Sequence, residues 1–251
     1  MSGQPGVRDD AGIRRITLDR AEVANALTLD DLTVIESAAR DLPDEIRAIV
    51  VLGAARKVFS AGTHVETFLN TPPDEGRALI ERVGSCVGAI RLAPVPTVAV
   101  VEGHCLGAAF ELALACDVRI CSTAATFGLP EVRLGIPSVV DAALLAEYVG
   151  LGKAKEMILT GGIYPVESVP AIANAVVPAA EIDGVVEDML RALTSPTREV
   201  VAAQKSLFET WLNVGLAEGI EVSKQVFGEV FALPVTQQAI SAYEAGRRRK
   251  A

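Results

Sequence analysis

Aromatic side chains are scarce in this chain. Seven Phe, three Tyr and one Trp make up 4% of its 251 residues, so a core must be built from Ala, Val, Leu and Ile. Half of the residues are hydrophobic. That is ample for one large α/β domain, or a domain with an appendage, and unlike a disordered chain. An excess of positive charge is also missing: 23 Lys and Arg face 32 Asp and Glu, a net charge of −9. This balance speaks against general nucleic-acid binding. No window holds about 18 uninterrupted apolar residues. The polar start, MSGQPGVRDDAG, carries no apolar stretch of the signal-peptide kind. The expectation is a cytoplasmic protein with no membrane span.

Cysteines are few. Cys86, Cys105, Cys116 and Cys121 form no C-x-x-C pair and sit among apolar residues, which reads as reduced, buried thiols. His104 stands beside Cys105, but the spacing to Cys116 and Cys121 matches no zinc pattern. No metal is expected. Several catalytic motifs are absent. There is no G-x-S-x-G elbow, no Walker A loop, and no G-x-G-x-x-G between a strand and a helix. Gly150-Leu151-Gly152-Lys153 follows a helical run rather than a strand, so it does not read as a phosphate loop.

What is present alternates between strand and helix in the first half. Residues 13–19 and 97–103 read as strands, and the nearly continuous apolar run 46–52 suits a strand buried on both faces. Residues 29–42, with Thr28 as a cap, 74–92 and 106–116 have helical character. Residues 117–121 form a further short strand. After Pro130 helices dominate: 141–149, 153–159, 181–193, 198–214, 217–231 and a last one from Pro234. The alternation predicts an α/β fold, and we expect a core domain at 1–195 followed by a C-terminal helical region at 196–251.

Two strand-to-helix turns carry very small residues. Ser60-Ala61-Gly62 leads to Thr63 and His64, and Gly103 to Gly107 leads into an Ala/Leu-rich helix. Small residues let a ligand approach the backbone, and the free amides of a helix start favour a negative oxygen. Two such turns could each offer one amide to a single oxygen, the logic of an oxyanion hole. Glu111 lies within that second helix among Ala109, Leu112, Ala113 and Leu114. A carboxylate there is costly to bury alone, so it is either paired structurally or kept for chemistry. Glu131, after Pro130, poses the same choice, with Arg133 or Arg119 as structural partners.

At this point the chain resembles a known family. FSAG (59–62), GHCLGAAFELALACDVRI (103–120) and FGLPEVRLGIP (127–137) resemble the enoyl-CoA hydratase/isomerase, or crotonase, family. ITLDRAEVANALT (16–28) and GLGKAKEMILTG (150–161) extend the likeness over nearly the whole chain. The resemblance implies a crotonase-like (ClpP/crotonase) fold of repeated ββα units, with C-terminal helices that build homotrimers or hexamers. It implies an acyl-CoA thioester substrate, with CoA as part of that substrate and no other cofactor. It places the amides of Thr63 and Ala108 in the oxyanion hole. Glu111 holds and helps deprotonate the attacking water, and Glu131 delivers a proton to the α-carbon. Val23, Ala24, Ala61 and His64 fall on substrate- or CoA-contacting positions.

The chain also departs from the family. Many hydratases follow the second Glu with I-P-G-A-G-G-T-Q, whereas GIPSVVDAALL (135–145) places Ser138 at a Gly that lines the site and introduces Asp141. Asp141 reads either as a favourable charge in a first helical turn or as an added acid/base or substrate contact. His64 replaces a frequent Asp, Glu66 a frequent Lys, and Gly246 a Lys that reaches the CoA phosphates, with Lys57 or Arg247 to Lys250 as replacements. The leading expectation is enoyl-CoA hydration. The alternatives are isomerisation or another crotonase-type reaction, and a catalytically silent acyl-CoA-binding homologue.

Overall fold

The apolar runs of the first half become the strands of a twisted sheet. In a computed structural model, which describes residues 3–248, β1 (Gly6–Asp10) and β2 (Ile13–Leu18) pair antiparallel. Helix α1 (Leu29–Arg40) leads to β3 (Ala48–Gly53), which runs parallel to β2. Short α2 (Val65–Leu69) and long α3 (Gly76–Arg91) precede β4 (Thr97–Val101), β5 (His104–Leu106) and α4 (Ala108–Ala115). Then come β6 (Val118–Ser122), β7 (Thr126–Gly128), α5 (Leu145–Thr160), β8 (Ile163–Pro165) and β9 (Ala175–Val177). The main sheet has the order β1-β2-β3-β4-β6-β9, and β5, β7 and β8 form a second, three-stranded sheet. Twice a strand of the main sheet is followed at once by a strand of the small one: β4 by β5, and β6 by β7.

Burial explains why these segments hold. Ile49, Val51, Ala99, Val101 and Cys121 are fully buried, as expected for parallel strands covered on both faces. Each fully buried Ile or Val side chain contributes roughly 1.5–3 kcal/mol. Helix α1 starts at a capping box: the Asp31 N–H donates to Thr28 Oγ1 (3.3 Å) and the Thr28 N–H to Asp31 Oδ2 (2.7 Å). Helix α3 buries Leu79, Val83, Cys86, Val87 and Ile90 along one stripe. Helix α4 is buried all round, Glu111 included. All four cysteines are free and buried.

The sequence missed β1, because it is an exposed edge strand with no apolar alternation to betray it. It also missed β5, β7, β8 and β9, each three residues long. The expected helix at 141–149 is instead a 3-10 turn (Val140–Leu144) running into α5, which breaks at Gly150 (φ 76°) before Lys153.

The chain divides into two compact units, the first ending at Leu190 and the second starting at Arg191. Helix α6 (Ile182–Thr194) carries the division. The second unit consists of α7 (Arg198–Asn213), α8 (Leu216–Phe231) and α9 (Pro234–Arg248). Within it the Trp211 indole N–H donates to Ser223 Oγ (2.9 Å), tying α7 to α8. Of the basic tip, Arg249 and Lys250 lie outside the described residues.

Candidate active site

Two loops meet beside α4. The 58–63 segment, after β3, and β5 are laced by backbone bonds: Phe59 and Ser60 donate to the His104 carbonyl (3.0 Å each), and Leu106 donates to the Ser60 carbonyl (3.0 Å). The Ser60 hydroxyl donates to the Asn25 carbonyl (2.8 Å) and accepts from the Gly62 N–H (3.1 Å). Gly62 and Gly107 have φ of +90° and +55° and pack so closely that a Cβ on Gly62 would lie 3.3 Å from the Ala108 nitrogen. A side chain on Gly62 would meet the Leu106 carbonyl at 2.6 Å and push the loops apart.

The amides of Thr63 and Ala108 are left facing outward. Thr63 forms a parallel bridge with Leu27, in which the Leu27 N–H donates to Gly62 and the His64 N–H donates to Leu27 (2.8 Å each). In that pattern the central residue's own N–H points away from the bridge. Ala108 is the first residue of α4, where an N–H has no acceptor within the helix. Both residues line a cavity of about 280 Å³ with Ala61, Glu111 and Glu131. The residues expected to supply the amide pair and the carboxylate pair therefore line the same cavity. Such a site can hold an oxygen that gains negative charge and move protons beside it.

The carboxylates sit in unlike settings. Glu111 is 4% exposed in the first turn of α4. Burial, then the nearby charges of Glu131 and Asp141, push its pKa up to about 8, although the N–H groups of Val139 and Ala142 oppose this by favouring the charged form. Glu131 lies on a 3-10 turn (Pro130–Leu134) and accepts the Ser138 hydroxyl at Oε2 (2.7 Å). Its other oxygen is so near the α4 start that a Cβ on Gly107 would come within 2.8 Å of it. The structural partners considered for Glu131 are occupied elsewhere. Arg119 donates to the carbonyls of Ala113, Cys116 and Ile172 and lies 4.4 Å from the Tyr148 ring centre. Arg133 donates to the Thr160 carbonyl (3.2 Å).

The remaining expected residues lie outside the cavity lining. Asp141 ion-pairs with Arg91 (3.1 Å) behind Glu111. Val23 and Ala24 are on a neighbouring turn, and the Ala24 carbonyl accepts the Ala61 N–H (2.9 Å). His64 caps α2, accepting the Glu66 N–H at Nδ1 (3.3 Å). Sequence reasoning missed Asn25. Buried with φ +52°, it donates to the carbonyls of Val58 and Phe59 and accepts the Arg20 N–H, which fixes the 20s turn to the first loop. Its place inside ITLDRAEVANALT was the available signal.

Comparison with known proteins shows the family. The family model "Enoyl-CoA hydratase/isomerase" matches residues 8–250. The chain is 27% identical over 238 residues to the short-chain-enoyl-CoA hydratase of Clostridium acetobutylicum, covering 93% of this chain and 91% of that one. It is 31% identical over 245 residues to a Mycobacterium tuberculosis protein named "Probable enoyl-CoA hydratase echA8", covering 94% and 93%. Among solved structures, the enoyl-CoA hydratase of Bacillus anthracis superposes with a TM-score of 0.90 at 24% identity, covering 97% of this chain and 96% of that one. The fold is the crotonase-like α/β fold that the motifs led us to expect, and the chain belongs to the enoyl-CoA hydratase/isomerase family.

Proposed function

We propose that this protein hydrates 2-enoyl-CoA thioesters. The observation that carries the reading is one cavity lined by Glu111 and Glu131 together with Thr63 and Ala108. The thioester carbonyl accepts from the Thr63 and Ala108 amides. Water adds at the β-carbon, the double bond's electrons move towards the carbonyl oxygen, and the amides stabilise the enolate that forms. One carboxylate takes a proton from the water, and the other returns a proton to the α-carbon. The pair starts and ends with one proton, as two interacting carboxyls in a shielded site do. Burial, which favours the protonated form of Glu111, suits Glu111 as the acid, whereas the resemblance gives it the water.

A second apolar cavity of about 420 Å³ shares Phe68, Ile80, Ile136, Pro137 and Val139 with the first and gives the acyl chain room to extend. The second unit exposes Leu216 and Phe227, apolar surface that suits the homotrimer or hexamer of our reading.

The test is loss of enoyl-thioester ultraviolet absorbance with crotonyl-CoA. Wild type should consume it, and Glu111→Gln and Glu131→Gln should each lose about 100- to 10,000-fold. Crotonyl-CoA that binds but is not consumed would sink hydration of this substrate, leaving isomerisation, another acyl group or a silent binding protein. Exchange of the α-hydrogens of butyryl-CoA with deuterated water separates the roles. The variant that loses exchange has lost the group serving the α-carbon.

A further inference from the structure

The turn behind Glu111 is held in an unusual way. Val140 has φ +53°, a left-handed conformation that β-branched residues rarely adopt. Its methyl groups lie over α3 at Gly84, where a Cβ would stand 3.7 and 3.8 Å from them. Seven residues further along α3, on the same face, Arg91 ion-pairs with Asp141 at 3.1 Å. Both side chains of this pair are largely shielded, 27% and 13% exposed. Two adjacent residues of the turn are thus fastened to two points of one helix. The next residue, Ala142, is buried, and its N–H and that of Val139 act on the Glu111 carboxylate.

We propose that Arg91 and Asp141 are positioning residues of this site. Their ion pair, with Val140 seated on Gly84, fixes the turn whose amides and carboxylate surround Glu111, and so governs the proton that Glu111 carries. Asp141 acts through Glu111 without touching substrate. After burial and the Glu131 charge, its negative charge further disfavours ionisation of Glu111, while Arg91 offsets part of that charge and the Val139 and Ala142 amides pull the other way. The charged groups facing Glu111 are Glu131 from the 130–134 turn and Asp141 from the 140–144 turn, with Arg91 on α3 behind Asp141. The consequence for turnover rests on the hydratase reading; the effect on the Glu111 proton does not.

The test follows the Glu111 proton directly, by infrared titration of isotope-labelled glutamate carboxyls, with Glu111→Gln identifying the band. Asp141→Asn keeps the shape and removes the charge, and should move the Glu111 midpoint down by roughly one pH unit. Arg91→Gln leaves the Asp141 charge less compensated and should move it up, and Arg91→Lys should restore it. If Arg91→Gln does not fold, Asp141→Asn alone decides. With crotonyl-CoA, Asp141→Asn should lower kcat about 10-fold and leave KM within about 2-fold. A Glu111 midpoint that stays put in Asp141→Asn overturns the proposal and leaves the pair a structural fastening. A shifted midpoint in a protein that never hydrates crotonyl-CoA supports the proposal and counts against the hydratase reading alone.

Discussion

On one side of the cavity lie backbone amides; on the other lie side-chain carboxyls. The amide wall is made by the 58–63 segment, β5 and the first residue of α4; the first two bond through their backbones, and Gly62 and Gly107 leave no side chain between them. The carboxyl wall is made by α4 and two 3-10 turns, and its groups are set by one another: Ser138 on Glu131, Arg91 on Asp141, and Asp141 and Glu131 on Glu111. A backbone N–H is the same whichever side chain its residue carries. The amide wall therefore absorbs substitution wherever the new residue leaves the main chain in place. The carboxyl wall does not, because each exchange moves charge. The departures in 135–145, Ser138 in place of a glycine and Asp141 as a new charge, fall on this second wall.

The sharpest way to break the contrast is to damage the amide wall where it touches the other. Gly107→Ala puts a methyl group on a residue with φ +55° and within 2.8 Å of Glu131 Oε1. The loop or the carboxylate must shift, so one substitution disturbs both walls. We expect turnover of crotonyl-CoA to fall about 100-fold and stability to fall by about 1–3 kcal/mol. Activity within a factor of a few of wild type, with unchanged melting temperature, would show that the close approach carries no function.

The second prediction concerns the carboxyl wall alone, and its sign follows from linkage. Glu111 titrates near about 8 in the folded protein against about 4.3 in an unfolded chain. As pH rises between these values the unfolded state releases a proton that the folded state keeps, so stability is lost with rising pH across that window. Glu111→Gln removes the dependence. Its melting temperature should exceed that of wild type by a margin that grows from about pH 5 to about pH 8 and reaches several degrees, equivalent to about 2 kcal/mol or more. A variant equally or less stable than wild type at the upper end would mean that Glu111 is a structural carboxylate.

How far the two walls were legible in the sequence differs in the same way. The amide wall was readable because each turn comes after a buried apolar run, 46–52 or 97–103, and carries small residues, Ser60-Ala61-Gly62 in one and Gly103 and Gly107 in the other. Glu111 was visible as a carboxylate within an apolar helix. The partners that tune the carboxyl wall were not visible. Arg91 and Asp141 are fifty residues apart in the chain, and an arginine at the end of α3 reads as ordinary helix-end charge. Ser138 was noticed as a substitution, but its bond to Glu131 depends on the fold of two turns that have no periodicity. Asn25 was overlooked because its work is done through carbonyls more than thirty residues away. Periodicity and small-residue turns report local structure, and the contacts that set charge in this site are long-range.

The mildest substitution sharpens the comparison most cleanly. The Thr63 N–H points away from the Leu27 bridge whatever the side chain. Thr63→Ala keeps that N–H and keeps the bonds of its neighbours Gly62 and His64. It removes a half-exposed hydroxyl for which no hydrogen bond is found among the described residues. We expect kcat with crotonyl-CoA to change by less than about 3-fold and the melting temperature to stay within about 1–2 °C, since a surface exchange of this kind is worth about 0.5 kcal/mol or less. A loss of 10-fold or more would mean that the hydroxyl itself meets the substrate. The wall would then be a mixed one, and the division between backbone and side-chain function would fail at Thr63.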